Sequence, residues 1–163
     1  MEKKSIAFEL LVYRDQEELS QMERELLDAA AAARENAYAP YSRFKVGAAL
    51  LLDNGELVVG NNQENASYPA GLCAERVAVF QAGARFPGRT ILSMAICVGA
   101  PQGQGDFPVA PCGNCRQAII EYEHGQGSPI PILMRGGDGP VYKCGSISDI
   151  LPLAFNRSFL GDS

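Results

Sequence analysis

Apolar positions fall into two rhythms along this chain, and the change between them marks out the elements. Between Ser20 and Ala37 the spacing is helical, with Leu26, Leu27, Ala30, Ala33 and Ala37 on one face. Ser20 and Glu23 have the spacing of a capping box, so a helix is expected to open there, and Pro40 ends it. From Phe44 the period becomes two: Val46, Ala48, Leu50 and Leu52 alternate with their neighbours. Asp53-Asn54-Gly55 is a hairpin turn, and Leu57 and Val59 carry the return strand. A long polar loop, residues 61–69, follows; loops of this kind carry function more often than packing.

Cys73 to about Phe86 reads as a second helix, with Val77, Ala78, Phe80 and Ala84 expected to face inward. Ile91 to Val98 is almost continuously apolar, the pattern of a central strand covered on both faces. Residues 100–110 form a Gly/Pro-rich loop, and Pro111-Cys112-Gly113-Asn114-Cys115 leads into a third helix through about Glu123. Ile130–Met134 and Val141–Cys144 are short strands, and Ser146 with Asp149 has capping-box spacing for a last short helix. Residues 1–17 show no clear period, and the first 19 are expected to be an N-terminal extension of a single domain spanning 1–163. The order predicts an α/β fold: a three-layer α-β-α sandwich around a mixed five-stranded sheet.

Composition narrows the function. With 163 residues, 47% apolar and 20% charged, the chain suits one globular domain. A net charge of −5 argues against a grip on polynucleotide, which needs cations to displace counterions, so no nucleic-acid partner is expected. No apolar run is long enough to span a bilayer, and the lysines at the start are not followed by a cleavable leader pattern. Five cysteines in such a chain suggest a reducing compartment, with the cytoplasm expected.

Three of those cysteines stand where helices begin. Cys112 and Cys115 form a C-x-x-C pair suited to two metal ligands on one turn. Cys73 opens the preceding helix, two residues before Glu75. A catalytic zinc takes three protein ligands and leaves a fourth position for water, whose pKa falls from about 15.7 toward about 7. Glu75 is then the general acid–base group. Three thiolates leave such a site with one net negative charge, which two helix N-termini, each about half a positive charge, would offset. Arg76 is placed to hydrogen-bond a thiolate and withdraw more. Alone, the C-x-x-C is also compatible with a redox pair, or with a structural zinc completed by Cys144 or Cys97. Cys97, inside an apolar strand, reads as a core thiol, Cys144 as structural, and His124 as a helix-end residue.

Cys73-Ala74-Glu75-Arg76 together with Pro111-Cys112-Gly113-Asn114-Cys115-Arg116-Gln117 resembles the zinc signature of the cytidine deaminase family, in its small homotetrameric three-cysteine branch. The resemblance runs from about Tyr38 to Phe155. It implies one Zn²⁺ per subunit and hydrolysis of cytidine or deoxycytidine to the uridine and ammonia, as in pyrimidine salvage. By the same resemblance Phe44 packs on the pyrimidine, Asn62 and Glu64 bind the ribose 3′-hydroxyl, and Ala74 and Glu75 read the base. Tyr68 and Phe155 match residues lent to a neighbouring subunit's pocket, which implies a homotetramer. Deaminases of a cytosine-containing antibiotic such as blasticidin S share the metal motif but lack the Asn-x-Glu pair, so Asn62 and Glu64 favour a nucleoside. A purely structural zinc module has no need of Glu75.

Overall fold

The computed structural model describes residues 1–99 and 109–161. The Gly/Pro loop expected at 100–110 lies mostly outside the described residues. A six-stranded sheet is formed by β1 (Leu10–Tyr13), β2 (Val46–Leu52), β3 (Leu57–Asn61), β4 (Ile91–Val98), β5 (Ile132–Gly136) and β6 (Val141–Cys144). Their order across the sheet is β1-β6-β5-β4-β2-β3, and only the β4–β5 pairing is parallel. The α-helices among the described residues are α1 (Gln21–Glu35), α2 (Ala74–Arg85) and α3 (Gly113–Gln126).

Period two along β2 and β4 builds two cores at once. Ala48, Leu50, Leu52, Met94 and Ile96 face a core shared with α2 and α3. The alternate residues Ala49, Leu51, Ala95 and Cys97 face a second core with Leu26, Leu27 and Ala30 of α1. That is the expected three-layer arrangement, and β4 is covered on both sides as its apolar run implied.

Two glycines set how closely the helices approach. A Cβ on Gly47 would lie 2.0 Å from the Ala30 carbonyl oxygen of α1. A Cβ on Gly60 of β3 would lie 2.5 Å from the Ala74 carbonyl oxygen and 2.6 Å from the Ala78 nitrogen. Both contacts are with main chain, so only glycine admits the helix at that distance. The start of α2 therefore rests directly on β3.

Three expectations change. The sheet has six strands rather than five, because Leu10–Tyr13, expected outside the fold, pairs antiparallel with β6 from Leu10↔Cys144 to Tyr13↔Val141. Leu10, Leu11 and Val12 are all exposed, so this edge strand buries neither face enough to leave an alternating signal. On α2, Phe80 and Ala84 point outward; the buried residues are Ala74, Glu75, Ala78, Val79 and Ala82. Glu75, Arg76, Gln81 and Arg85 are spread around the helix and Glu75 is on the buried side, so no single polar face marks which side turns inward. The last expected helix is a short 3-10 turn, Ile147–Ile150, though its Ser146/Asp149 capping box is formed.

Candidate metal centre and active site

The helix starts deliver three sulfurs to one point. Cys73 is the N-cap of α2 and Cys112 the N-cap of α3, both extended and neither using its side chain as a cap. Cys115 lies in the first turn of α3. The Cys73 and Cys112 Sγ atoms are 3.9 Å apart, and those of Cys112 and Cys115 are 3.5 Å apart. All three ligand atoms lie within 4.8 Å of one another. Tetrahedral zinc with bonds near 2.3 Å needs sulfurs about 3.8 Å apart, which the two distances bracket. Cys115 is buried, Cys73 half-buried and Cys112 exposed. Cys97 and Cys144 are buried in the two cores, and no fourth thiol joins the cluster among the described residues. This removes the structural four-cysteine alternative.

The cluster's charges are distributed unevenly. Hydrogen bonding by Cys115, helped by Cys112 and Arg76, lowers the Cys73 thiol to about 5. Cys115 moves the other way, because it shares its proton with Cys73 and is buried beside Glu75. Glu75 is 4% exposed, and its carboxyl is raised above the usual carboxylate range by burial, with the Cys73 charge adding to the shift. Arg76 donates from Nη2 to the Gly71 carbonyl at 3.2 Å. Its buried Nε has no partner of its own, and the guanidinium lies in the field of Cys73 and Cys115. A buried unpartnered donor in the field of the Cys73 and Cys115 sulfurs is a second sign that the donor set suits a cation carrying anionic sulfur.

The substrate residues implied by the resemblance divide into two groups. Gln63 bridges to Tyr38 on one side and to Leu72, next to Cys73, on the other. Asn62 and Glu64 flank it. The Asn62 amide accepts from the Val46 N–H at 2.8 Å and donates to the Phe44 carbonyl at 2.9 Å. The Glu64 carboxylate accepts from the Tyr41 N–H at 2.8 Å, the Ser42 N–H at 3.2 Å and the Ser42 hydroxyl. These bonds, the Ser42 hydroxyl foremost, hold it ionised below the usual carboxylate range. Phe44 follows Arg43, whose φ of 57° is a left-handed conformation that a non-glycine residue adopts at some cost. So Phe44, Asn62 and Glu64 belong to one loop cluster anchored to the Cys73 turn. Tyr68 (91% exposed) and Phe155 (57% exposed) stand open on the single chain.

A sequence model of the cytidine and deoxycytidylate deaminase zinc-binding region matches residues 20–126. A cytidine deaminase of Halalkalibacterium halodurans is 37% identical over 142 residues, 86% of this chain and all of the relative. One from Mycobacterium tuberculosis is 45% identical over 123 residues, 76% of this chain and 81% of the relative. The crystal structure of a Burkholderia pseudomallei cytidine deaminase superposes with a TM-score of 0.71 at 41% identity, covering 84% of this chain and 100% of that one.

The chain belongs to the cytidine deaminase family. It is an enzyme of hydrolase type, and the matched zinc-binding region contains the whole three-sulfur cluster. The family match begins at Ser20, so β1 precedes the matched residues.

Two further side chains support the site, and sequence reasoning gave neither a role. Arg116 donates from Nε to the Pro111 carbonyl at 2.7 Å and from Nη1 to the Ile150 carbonyl at 2.6 Å. Gln117 donates to the Phe155 carbonyl at 2.9 Å. Both belong to the signature that carries the resemblance, but the Ile150 and Phe155 carbonyls they reach lie 34 and 38 residues away, so the local pattern does not reveal these contacts. A cleft of about 390 Å³ lined by Ala82, Phe86, Arg89 and Tyr122 lies at the far ends of α2 and α3 and takes no part in the cluster.

Proposed function

We propose that this chain hydrolyses cytidine and deoxycytidine at C4, with Cys73, Cys112 and Cys115 holding zinc and Glu75 carrying protons. The observation that supports it most is a buried carboxyl, with its pKa raised, one residue beyond the Ala74 that follows a sulfur of the cluster. Zinc held by Cys73, Cys112 and Cys115 would supply a Lewis acid that makes water nucleophilic at neutral pH. Glu75 would take a proton from the attacking water and pass it to ring N3 as the hydroxyl adds at C4. It would then carry the proton of the new C4 hydroxyl to the exocyclic nitrogen, so that the C4 carbonyl forms as the C4–N bond breaks and ammonia leaves, with N3 keeping the first proton. Burial keeps Glu75 able to hold the proton between the two transfers.

The Ala74 main chain and Glu75 read the amide edge of the base, and Phe44 covers the pyrimidine face. Glu64 accepts from the ribose 3′-hydroxyl and Asn62 donates to its oxygen through the amide N–H left over from its bond to Phe44, with both side chains held by the 41–46 segment. This contact is common to both nucleosides, so both are substrates. Neighbouring subunits close the pocket with Tyr68 and Phe155 in a homotetramer; the exposed aromatic rings on a single chain support this. No helix of the described residues is long and apolar enough to cross a membrane, and the free cysteines suit a cytoplasmic enzyme.

The test follows ultraviolet absorbance of cytidine, deoxycytidine and blasticidin S with wild type and Glu75→Ala. Both nucleosides are expected to be deaminated. The variant should lose roughly 10²- to 10⁴-fold in rate, the range of general acid–base catalysis, while retaining its zinc. Wild type inert on all three, or a variant of undiminished activity, overturns the assignment. Turnover of blasticidin S alone moves it to the antibiotic class.

A further inference from the structure

Cys112 is the most exposed residue of the cluster and lies on the turn that precedes α3, outside the helix proper. A ligand on a turn needs something to hold the turn. The carbonyl of the preceding residue, Pro111, is taken by Arg116 Nε, and the same guanidinium reaches the Ile150 carbonyl. Ile150 ends the 3-10 helix Ile147–Ile150. The start of that short helix is fastened from the other end of α3. There the buried Glu123 carboxylate, 5% exposed, accepts from the Ser146 hydroxyl at 2.6 Å, the Ser148 hydroxyl at 2.5 Å and the Ile147 N–H at 3.1 Å. It also accepts from the Ile130 N–H at 2.7 Å, which ties in the approach to β5. Arg116 and Glu123 are two turns apart on one face of α3, so the 3-10 helix lies along α3 gripped at both ends.

We propose that Arg116 is a positioning residue for the metal: it braces the Pro111–Cys112 turn against the Ile147–Ile150 helix, which Glu123 anchors, and so holds Cys112 on the cluster. The inference rests on the three-cysteine zinc reading. A planar guanidinium with two separated donors can bridge two carbonyls; a lysine ammonium at the same place is a single point that reaches one. The brace therefore has a remote component, because the serines that fasten the short helix touch neither Arg116 nor a sulfur.

The test measures zinc release from loaded protein to a coloured chelator, for wild type, Arg116→Lys and the double variant Ser146→Ala/Ser148→Ala. Melting temperatures are recorded with and without zinc. Arg116→Lys is expected to release zinc roughly 10- to 100-fold faster, the usual cost of losing a group that orients a ligand. The serine variant should shift the same way by less, and in both the gain in melting temperature on adding zinc should shrink. Release at the wild-type rate in both variants overturns the brace. So does an equal fall in melting temperature with and without zinc, which marks a structural role only. If Arg116→Lys does not fold, the serine variant decides by the same criteria. A wild type that binds no zinc overturns the metal reading itself, an outcome distinct from unchanged release.

Discussion

Gly60 is the point where the sheet carries the start of α2, and replacing it tests whether that contact sets the chemistry. In Gly60→Ala the new Cβ meets the Ala74 carbonyl oxygen at 2.5 Å and the Ala78 nitrogen at 2.6 Å. Ordinary contact begins at 3.4 Å, so α2 must retreat from β3 by roughly 0.9 Å at its first turn. Main-chain atoms cannot rotate aside, so the cost falls at the upper end of the overpacking range, about 3 kcal/mol. For a domain of this size that is a fall of about 6–12 °C in melting temperature. Ala74 lies between Cys73 and Glu75, so both are carried with it. A misplacement of about 1 Å in a catalytic group costs on the order of 10²-fold in rate. The control is Gly83→Ala, on the same helix. Its Cβ meets the Tyr122 hydroxyl at 2.7 Å, the end of a side chain that can swing into the neighbouring cleft. Alanine also gains about 1 kcal/mol over glycine inside a helix. Thermal melts and cytidine turnover per folded molecule separate the two. The reasoning fails if Gly60→Ala melts within about 2 °C of wild type at full rate, or if Gly83→Ala is equally harmful.

Other expectations concern the loop, the buried carboxylate and the core thiols. Glu64→Gln puts an amide donor among the Tyr41 and Ser42 donors, so KM for cytidine should rise about tenfold or more with a smaller change in kcat, as for a group that binds ground and transition states alike; an unchanged KM refutes the role. Glu123 is held below the ordinary carboxylate range by its hydrogen bonds, against the opposing effect of burial. Because the folded pKa is the lower one, its stabilisation is present above about pH 4.5 and is lost as pH falls through the folded value. Glu123→Gln should melt lower at pH 7, by about 2–3 kcal/mol in stability, and show a flatter loss of stability below pH 5 than wild type; parallel acid-denaturation curves would exclude this. Burial pushes the Cys97 thiol up to about 11 and raises Cys144 as well. Alkylation read by mass spectrometry should therefore modify Cys73 and Cys112 in metal-free protein and reach Cys97 and Cys144 only on unfolding.

What the sequence revealed depended on how local each signal was. The Ser20/Glu23 box forms, with the Glu23 carboxylate accepting from the Ser20 N–H at 2.9 Å, and the face carrying Leu26, Leu27, Ala30 and Ala33 is the buried one. The Asp53-Asn54-Gly55 turn is present with Gly55 at φ 82°, a conformation the motif itself requests. The C-x-x-C pair is equally local. Its joining to Cys73, 39 residues away from Cys112, rested on all three standing where helices were expected to begin, and the family likeness then supported it, since no periodicity links them. Phe80 and β1 were misread for one reason: each is an apolar stretch whose burial depends on what packs there, and the chain alone does not say. Asn62 and Glu64, ordinary loop residues by composition, are the hydrogen-bonded frame of the Phe44 loop, and their partners lie 16 to 23 residues upstream.

The fold's handling of charge explains why this metal site needs two helices. Three thiolates around a divalent cation leave one excess negative charge, which opposes ionisation of a water. The N-terminus of a helix offers roughly half a positive charge, confined to its first turn. One helix therefore falls short, and two approximately cancel the excess, provided each begins at a sulfur. Cys73 and Cys112 meet that condition as the N-caps of α2 and α3. Neither helix can be allowed to drift, because the dipole's effect fades within a turn. Gly60 fixes α2 by admitting it onto β3, and Arg116 ties the first turn of α3 to Pro111 and Ile150. Arg76 adds a full positive charge from the first turn of α2, held in place by the Gly71 carbonyl. The glycine, the two arginines and the helix starts thus answer one electrostatic requirement, and loosening any of them is expected to weaken the same function.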